Sequence, residues 1–434
     1  MYKNVLKFIK NEYIFAVCTK FINIAIALLQ SILIARYLGS ELKGTQTYIS
    51  SIVSIGSIVV TFGIHQAYPY FRKKYGKDAI LQDYVSIVYI LYSAYMIVAA
   101  LLACFVFKSV ELKAAAILIP VLGYSNVVSY VSLVEKPNKR NVLYIICEIL
   151  NIILLSVLMI ASRNGFEWAS ANIMWAIISL LFVDLARAVI FTANIHCAPH
   201  ITSNMKGLSI ELLRFGFFPM LALLMTTLNY RIDVLMLRAS GYVTDAQIGV
   251  YSIGIALAEK IVLIPDSLKG VLVSKLTKGA DDYEVVRACR LTLFASVAMC
   301  IAFLLLGQWG ITFLYGSEYS GAYSVMMICA VGALCIGYFK LIAQYNIVNK
   351  KQIRNVVMLS VAIVIDVIFN LILIPLYGIE GAAVATCFGN VVCGIVFILY
   401  FSRLIKISPV KMVLPQKEDF ELVGRLLKKR GREK

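Results

Sequence analysis

The stretch FNLILIPLYGIEGAAVAT, residues 369–386, decides the fold. It begins as an apolar helix, and Pro375, Gly378, Glu380 and Gly381 interrupt it within seven residues before a second apolar run opens. Proline stops a helix and glycine permits a tight turn, so we expect Pro375 to end one helix and Gly378–Gly381 to reverse the chain. Small residues after the turn allow two helices to pack closely. The stretch therefore predicts a helical hairpin with two apolar arms.

The composition of the whole chain is that of a membrane protein. Of 434 residues, 61% are hydrophobic and 15% are charged, whereas a soluble domain carries about 25% charged residues. A transmembrane helix needs roughly 20 apolar residues. Twelve segments qualify, and the chain is predicted to be an all-α polytopic membrane protein. The segments are 13–35, 47–70, 84–107, 112–134, 142–162, 168–195, 212–237, 248–274, 289–315, 322–348, 353–376 and 380–402.

Lysine and arginine are distributed unevenly between the two ends of these spans. If the N-terminus is cytoplasmic, 21 basic residues lie on the inner side and 6 on the outer side. This bias is the positive-inside rule, and it predicts that both termini are cytoplasmic. The net charge of +17 is therefore interpreted as a topology signal, and no nucleic-acid partner is expected. The inner residues are Lys3, Lys7, Lys10, Arg72, Lys73, Lys74, Lys77, Lys136, Lys139, Arg140, Arg187, Lys206, Arg214, Lys269, Lys275, Lys278, Arg287, Arg290, Lys350, Lys351 and Arg354.

The sequence contains no recognisable nucleotide-binding or catalytic motif. No GxxxxGK[ST] phosphate loop occurs and no loop is long enough for a soluble catalytic domain, so an enzyme is not expected. The ten cysteines are scattered, mostly inside spans, and predict no disulfide framework. The segment HCAPH, residues 196–200, is interpreted as a cytoplasmic loop because Pro199 disrupts a regular helical His pair. We expect no metal and no cofactor.

Two pairs of similar segments indicate an internal repeat. ARYLGSELKGTQTYIS (35–50) is echoed by LRASGYVTDAQIGVYS (237–252), and ILNIILLSVLMIASRNG (149–165) is echoed by IFNLILIPLYG (368–378). Because both halves start from the same side, the repeat is parallel, and such halves commonly enclose a site. We predict two six-helix lobes, residues 1–205 and 206–403, around a central cavity.

The last residues, 404–434, are predicted to be a basic cytoplasmic tail. FELVGRLLKKRGREK places apolar side chains at helical spacing among arginines and lysines. An amphipathic helix on anionic lipid and a solvated basic tail both fit this pattern.

Nine charged residues fall inside predicted spans, where each costs about 2.5–3.5 kcal/mol if it faces lipid. They are Lys20, Glu148, Asp184, Arg231, Asp233, Glu259, Lys260, Lys340 and Asp366. Structural pairing is the preferred interpretation of Glu148, Asp184 and Lys340.

The other intramembrane charges indicate a transport pathway. Arg231 and Asp233 are two residues apart and point to different helix faces, so each needs its own partner, and a crossed pairing with Glu259 or Lys260 would supply one. Lysine and arginine in a cavity attract anionic headgroups. The candidate substrate or ion pathway is Lys20, Arg36, Arg231, Asp233, Glu259 and Lys260. Purely structural pairing is the alternative.

Three stretches carry a resemblance to a family. ARYLGSELKGTQTY resembles the R-x-L-G-x-x-x-x-G signature of bacterial polysaccharide (O-antigen and capsule-type) flippases in the multidrug/oligosaccharidyl-lipid/polysaccharide exporter superfamily. RIDVLML…IGVYSIG is similar to the passage between that family's seventh and eighth helices, and NLILIPLYGIEGAAVAT to its last helical hairpin. The resemblance covers nearly the whole chain.

The resemblance implies a flippase in the bacterial cytoplasmic membrane. Such a protein moves a polyisoprenyl-diphosphate-linked oligosaccharide to the outer leaflet by alternating access of two lobes, with glycan assembly proteins as further partners. Arg36 matches the signature and would serve an exit gate or cap its helix. The alternatives are a multidrug exporter of the same superfamily, which usually needs an acidic cavity, and a membrane glycan polymerase or ligase, which usually carries a large external loop.

Overall fold

The computed structural model describes residues 12–195, 205–349, 351–414 and 416. These residues form α-helices joined by short turns and three 3-10 segments, and no strand occurs in these ranges. The helices are α1 Glu12–Thr61, α2 Ile64–Tyr75, α3 Lys77–Phe105, α4 Val110–Glu135, α5 Pro137–Arg163, α6 Ile173–Ile195, α7 Met205–Ser240, α8 Asp245–Ala258, α9 Leu263–Thr277, α10 Tyr283–Tyr315, α11 Ala322–Val348, α12 Ile353–Leu404 and α13 Pro409–Val413. The 3-10 segments are Glu167–Ala169, Glu259–Val262 and Ser317–Tyr319.

Helix α12 contains the hairpin that the opening stretch predicts. It runs for 52 residues but breaks at Gly378, which has φ 57° and ψ −128°. A Cβ on Gly381 would overlap the carbonyl oxygen of Leu373, although eight residues of continuous helix would separate the two by about 12 Å. The chain therefore reverses at Gly378. The expectation that Pro375 ends the first arm is wrong, because the helix continues through Pro375, as transmembrane helices permit where neighbouring groups satisfy the freed carbonyl.

Helix α1 is broken in the same manner. Its 50 residues would extend about 75 Å as one straight helix, far more than the roughly 30 Å of a bilayer core. Gly39 has φ 73° and ψ 174°, which lie outside the helical region. Each of these two long elements therefore contains two spans.

The described residues contain 10 elements that are long and apolar enough to cross a membrane. Two of them, Phe21–Tyr75 and Ile353–Leu404, contain the breaks at Gly39 and Gly378. With each counted as two crossings, the twelve predicted spans are confirmed, and the chain is a multi-pass membrane protein. The eight described cysteines whose state is defined are free.

The chain forms two compact units, Met1–Thr227 and Leu228–Lys434, and the boundary in the sequence falls within α7. In the first unit, α4 packs against α1, α3 and α6, and α1 also packs against α5. A backbone contact fixes the first part of α7 in this unit, because a Cβ on Gly216 would overlap the carbonyl oxygen of Phe62. In the second unit, α11 is the common partner of α8, α9, α10 and α12.

The paired segments found in the sequence share local geometry. Gly39 and Gly241 both have positive φ, 73° and 71°. Asn151 in the first unit and Asn370 in the second are both buried. Each echo has one member in each unit, which agrees with an internal repeat.

The hairpin packing gives a testable prediction. Gly381→Ala places a methyl group on the Leu373 carbonyl, so we expect a loss of roughly 1–3 kcal/mol of stability, the usual cost of overpacking. The matched control is Gly310→Ala in α10, where nothing lies within 4 Å of an added Cβ. Thermal unfolding of the purified protein in detergent measures both variants. Equal melting temperatures for the two variants would contradict this account of the hairpin.

Candidate functional site

In the first unit, the intramembrane acids form a closed ion cluster. Arg187 of α6 pairs with Glu148 of α5, and its Nη1 lies 3.1 Å from Oδ1 of Asp184. The guanidinium also lies over the ring of Tyr144, 4.5 Å from the centroid, and donates to the Tyr144 hydroxyl at 3.0 Å. The structural pairing of Glu148 and Asp184 is therefore confirmed.

Two basic residues that the positive-inside count places on the inner side lie within helices. Arg187 is inside α6, as the predicted span 168–195 requires, and its side chain is only 15% exposed. Arg290 lies in α10 and is 2% exposed. Arg187 is tolerated inside a span because two carboxylates balance its charge, Asp184 three residues earlier on the same helix and Glu148 on α5. The orientation of the termini stays a prediction.

In the second unit, Asp233 is buried among uncharged donors. It is 1% exposed, and one carboxylate oxygen accepts a hydrogen bond from the hydroxyl of Tyr251. The Thr386 hydroxyl donates to the same oxygen at 3.4 Å, and the backbone N–H of Val234 donates to the other oxygen at 2.8 Å. The crossed pairing of Asp233 with Lys260 is wrong, because the groups that bind this carboxylate come from α7, α8 and α12 and are neutral.

A second buried acid lies in α12. Asp366 is 3% exposed, and Asn370 Nδ2 donates to its Oδ1 at 3.1 Å and to its backbone oxygen at 3.0 Å. Close packing encloses it, since a Cβ on Gly389 would lie 2.9 Å from the Asp366 Cβ. Among the described residues, no group of three or more His, Cys, Asp or Glu is arranged to hold a metal ion.

The remaining charges of the second unit form what we call the basic cluster. It consists of Arg231 on α7, Glu259 and Lys260 on the 3-10 segment, Asp266 and Lys269 on α9, and Lys340 on α11. The 3-10 segment Glu259–Val262 interrupts the span Asp245–Thr277, so a charged pair is presented in the middle of a membrane crossing.

Within the basic cluster, Asp266 is the shared partner of two lysines. Its Oδ1 lies 2.5 Å from Lys269 Nζ and 4.0 Å from Lys340 Nζ. Lys340 also lies over the ring of Tyr230, 5.0 Å from the centroid. The preferred structural interpretation of Lys340 is thus confirmed. Asp266 and Lys269 were missed as intramembrane charges, although their i,i+3 spacing on a predicted helix could have indicated a pair.

Arg231 and Lys260 differ from the other cations of the basic cluster. Both are half-buried, and neither makes a salt bridge or side-chain hydrogen bond within the part of the chain that the structure describes. They act electrostatically on the Glu259 carboxylate, together with Lys340. The cluster therefore has two partly exposed acids, Glu259 and Asp266, for four cations. Two of these cations, Arg231 and Lys260, keep their hydrogen-bonding capacity.

A small cavity adjoins Glu259. Its volume is about 20 Å³, and its polar lining comes from Tyr230, Glu259, Thr386 and Asn390. The Tyr230 hydroxyl is buried and has no hydrogen-bond partner among the described residues. A void of this size holds about one water molecule, so the cavity provides a polar environment for the Glu259 carboxylate.

The candidate residues lie in different parts of the chain. Arg231, Glu259 and Lys260 are brought together in the second unit, and Asp233, which is held by its own hydrogen bonds, interacts electrostatically with Arg231 and Glu259. Arg36 is exposed on α1, three residues before the break at Gly39. The side chain of Lys20, the segment 196–200 and the tail beyond residue 416 lie outside the described residues.

Comparison with solved structures identifies the fold. The lipid II flippase MurJ in an inward closed conformation aligns over 92% of this chain and 89% of its own, with TM-score 0.73 and 18% identity. An outward-facing MATE multidrug resistance transporter of the MOP superfamily aligns over 90% and 94%, with TM-score 0.59 and 15% identity. A MOP superfamily transporter from Pyrococcus furiosus aligns over 89% and 93%, with TM-score 0.52 and 14% identity.

These likenesses define the class of the molecule as a multi-pass membrane protein with the fold of the MOP-superfamily transporters. No family model matches the sequence, and no curated protein matches it. The predicted all-α architecture with two lobes is confirmed.

The ion cluster of the first unit gives a second prediction. Arg187→Gln leaves Glu148 and Asp184 without their cation, so we expect a loss of about 3–5 kcal/mol, as for breaking a buried ion pair. The triple variant Glu148→Gln, Asp184→Asn, Arg187→Gln removes all three charges and should recover much of this loss. Thermal unfolding in detergent measures both. A triple variant as unstable as the single one would contradict the pairing.

Proposed function

We propose that this protein is a flippase that moves a polyisoprenyl-diphosphate-linked oligosaccharide across the bacterial cytoplasmic membrane for cell-surface polysaccharide biosynthesis. The observation that carries the proposal is the pair Arg231 and Lys260, two membrane-embedded cations without an ion pair among the described residues. The fold supports it, because the likeness to a flippase extends over 92% of the chain.

The chemistry of the two cations suits a diphosphate. A guanidinium can bind two phosphate oxygens at once, and an ammonium group acts as a compact charge that bonds in any direction. Glu259 balances part of the positive charge in the empty state, since it is within electrostatic reach of Arg231 and Lys260. A bound diphosphate would then replace Glu259 as the counterion of these cations.

The transport step follows from the fold class. The two units would open the site to one leaflet and then to the other, as transporters built from repeats commonly do. The sequence contains no phosphate loop for ATP, so we propose that an ion gradient or the flux of substrate supplies the energy. The substrate and the surrounding lipids are the partners, glycan assembly proteins are further candidates, and no chemical reaction is assigned to the protein.

A multidrug exporter is the second candidate, because MATE transporters share the fold. The carboxylate of Glu259 beside a polar cavity would be the acceptor for a cationic drug. Against this, cations outnumber acids in the basic cluster, and α1 carries no Asp or Glu between Phe21 and Ser40.

Reconstituted transport tests the proposal. We expect the purified protein in liposomes to move a fluorescent polyprenyl-diphosphate oligosaccharide between leaflets. Arg231→Gln and Lys260→Gln should each slow this movement about tenfold or more, since hydrogen bonds to charged groups contribute about 1.5–3 kcal/mol. Arg163→Gln is the matched control, because Arg163 is an exposed arginine at the end of α5.

Two outcomes would overturn the proposal. The first is transfer in Arg231→Gln and Lys260→Gln at the rate of the unmodified protein. The second is the absence of lipid transfer by the unmodified protein together with export of cationic dyes from cells, which would establish the multidrug alternative.

A further inference from the structure

A groove with apolar walls and basic edges lies at the end of the last membrane span. It is an open depression along one face of the helix, formed by Val396, Leu399, Tyr400, Arg403 and Leu404 of α12. None of these residues belongs to the basic cluster or to the buried acids, so the groove is a separate feature of the second unit.

The walls of the groove suit a hydrocarbon chain. Leu399 is 40% exposed, and Val396 and Leu404 are half-buried. All three lie on the C-terminal arm of the span Ile353–Leu404, where the bilayer can supply a lipid to cover them. The acyl chain of a lipid, rather than water, is the natural occupant of these walls.

The polar edge of the groove is held in place by a hydrogen-bonded network. The Tyr400 hydroxyl donates to Asn346 Oδ1 at 2.8 Å and accepts from Arg354 Nη1 at 3.1 Å. The Arg354 guanidinium lies over the Tyr400 ring, 5.6 Å from its centroid. Tyr400 thus fixes one arginine beside the groove, and Arg403 of the groove wall supplies a second.

No acidic side chain compensates these arginines. Both Arg354 and Arg403 are exposed, and neither makes an ion pair with any residue in the described ranges. Arginine binds phosphate through parallel hydrogen bonds and is attracted to anionic lipid surfaces. The remaining donors of Arg354 and Arg403 can therefore bind an anion next to an apolar wall.

The chain after α12 indicates that the groove opens at the membrane surface. Lys406 has φ 56°, and the short helix α13 follows after this turn. Met412 of α13 is fully buried, whereas Val410 and Leu414 are exposed beside Lys411. Apolar and basic side chains exposed side by side are typical of segments at the lipid headgroup level.

We infer that this groove binds one acidic phospholipid, with an acyl chain along Val396, Leu399 and Leu404 and its phosphate between Arg354 and Arg403. The positive-inside prediction assigns it to the inner leaflet. The bound lipid would stabilise the second unit, because it joins the two arms of α12 to α11 through Tyr400 and Asn346. The site does not depend on the transported substrate.

Native mass spectrometry of the full chain tests this site. We expect the first bound phosphatidylglycerol to bind more tightly than phosphatidylcholine with the same acyl chains. Arg403→Gln and Arg354→Gln should each weaken phosphatidylglycerol binding about fivefold, the effect of one basic residue near an anionic headgroup, and leave phosphatidylcholine binding unchanged. Arg403→Lys should retain most of the preference, and the control Arg163→Gln should match the unmodified protein.

Melting temperatures in lipid-free detergent verify that each variant is folded. The inference is overturned if the Arg354, Arg403 double variant binds phosphatidylglycerol like the unmodified protein, or if phosphatidylcholine binds equally tightly. Binding of soluble glycerol phosphate as tightly as the lipid would also overturn it, because the apolar walls would then contribute nothing.

Discussion

The cost of an ionised side chain in hydrocarbon governs this structure. Each such group costs about 2.5–3.5 kcal/mol on insertion scales, so it needs a counterion, a set of hydrogen bonds or water. The first unit pairs Arg187 with two acids, and the second unit surrounds Asp233 with Tyr251, Thr386 and a backbone N–H. Most intramembrane charges thus have a structural role. A charged side chain without such a partner is therefore a candidate for ligand binding.

Arg231 and Lys260 are the exceptions to this pattern among the intramembrane cations whose side chains the structure describes. They lie on α7 and on the 3-10 interruption after α8, where two neighbouring acids, Glu259 and Asp266, serve four basic groups. A helix break inside a span is tolerated only where it is buried in protein or lines a wet cavity. The 3-10 segment Glu259–Val262 meets this condition, because Glu259 lines a small cavity and Ile261 and Val262 are buried in protein.

The sequence predicts the fold well and the site only in part. Span positions follow from apolar run length, and the turn at Gly378 follows from residues whose conformational preferences are local. The echo of Arg36–Gly39 by Arg238–Gly241 is matched by two glycines with nearly equal φ. The partners of Asp233 could not be predicted, because Thr386 is 153 positions away and reaches it only through helix packing and rotation.

The proposed recognition of a diphosphate by Arg231 and Lys260 is tested by equilibrium binding of polyprenyl diphosphate, polyprenyl monophosphate and uncharged polyprenol of one chain length to the purified protein. We expect the affinity to fall in that order. We also expect Arg231→Gln to reduce the difference between diphosphate and alcohol without changing the affinity for the alcohol. Equal affinity for all three lipids would contradict it.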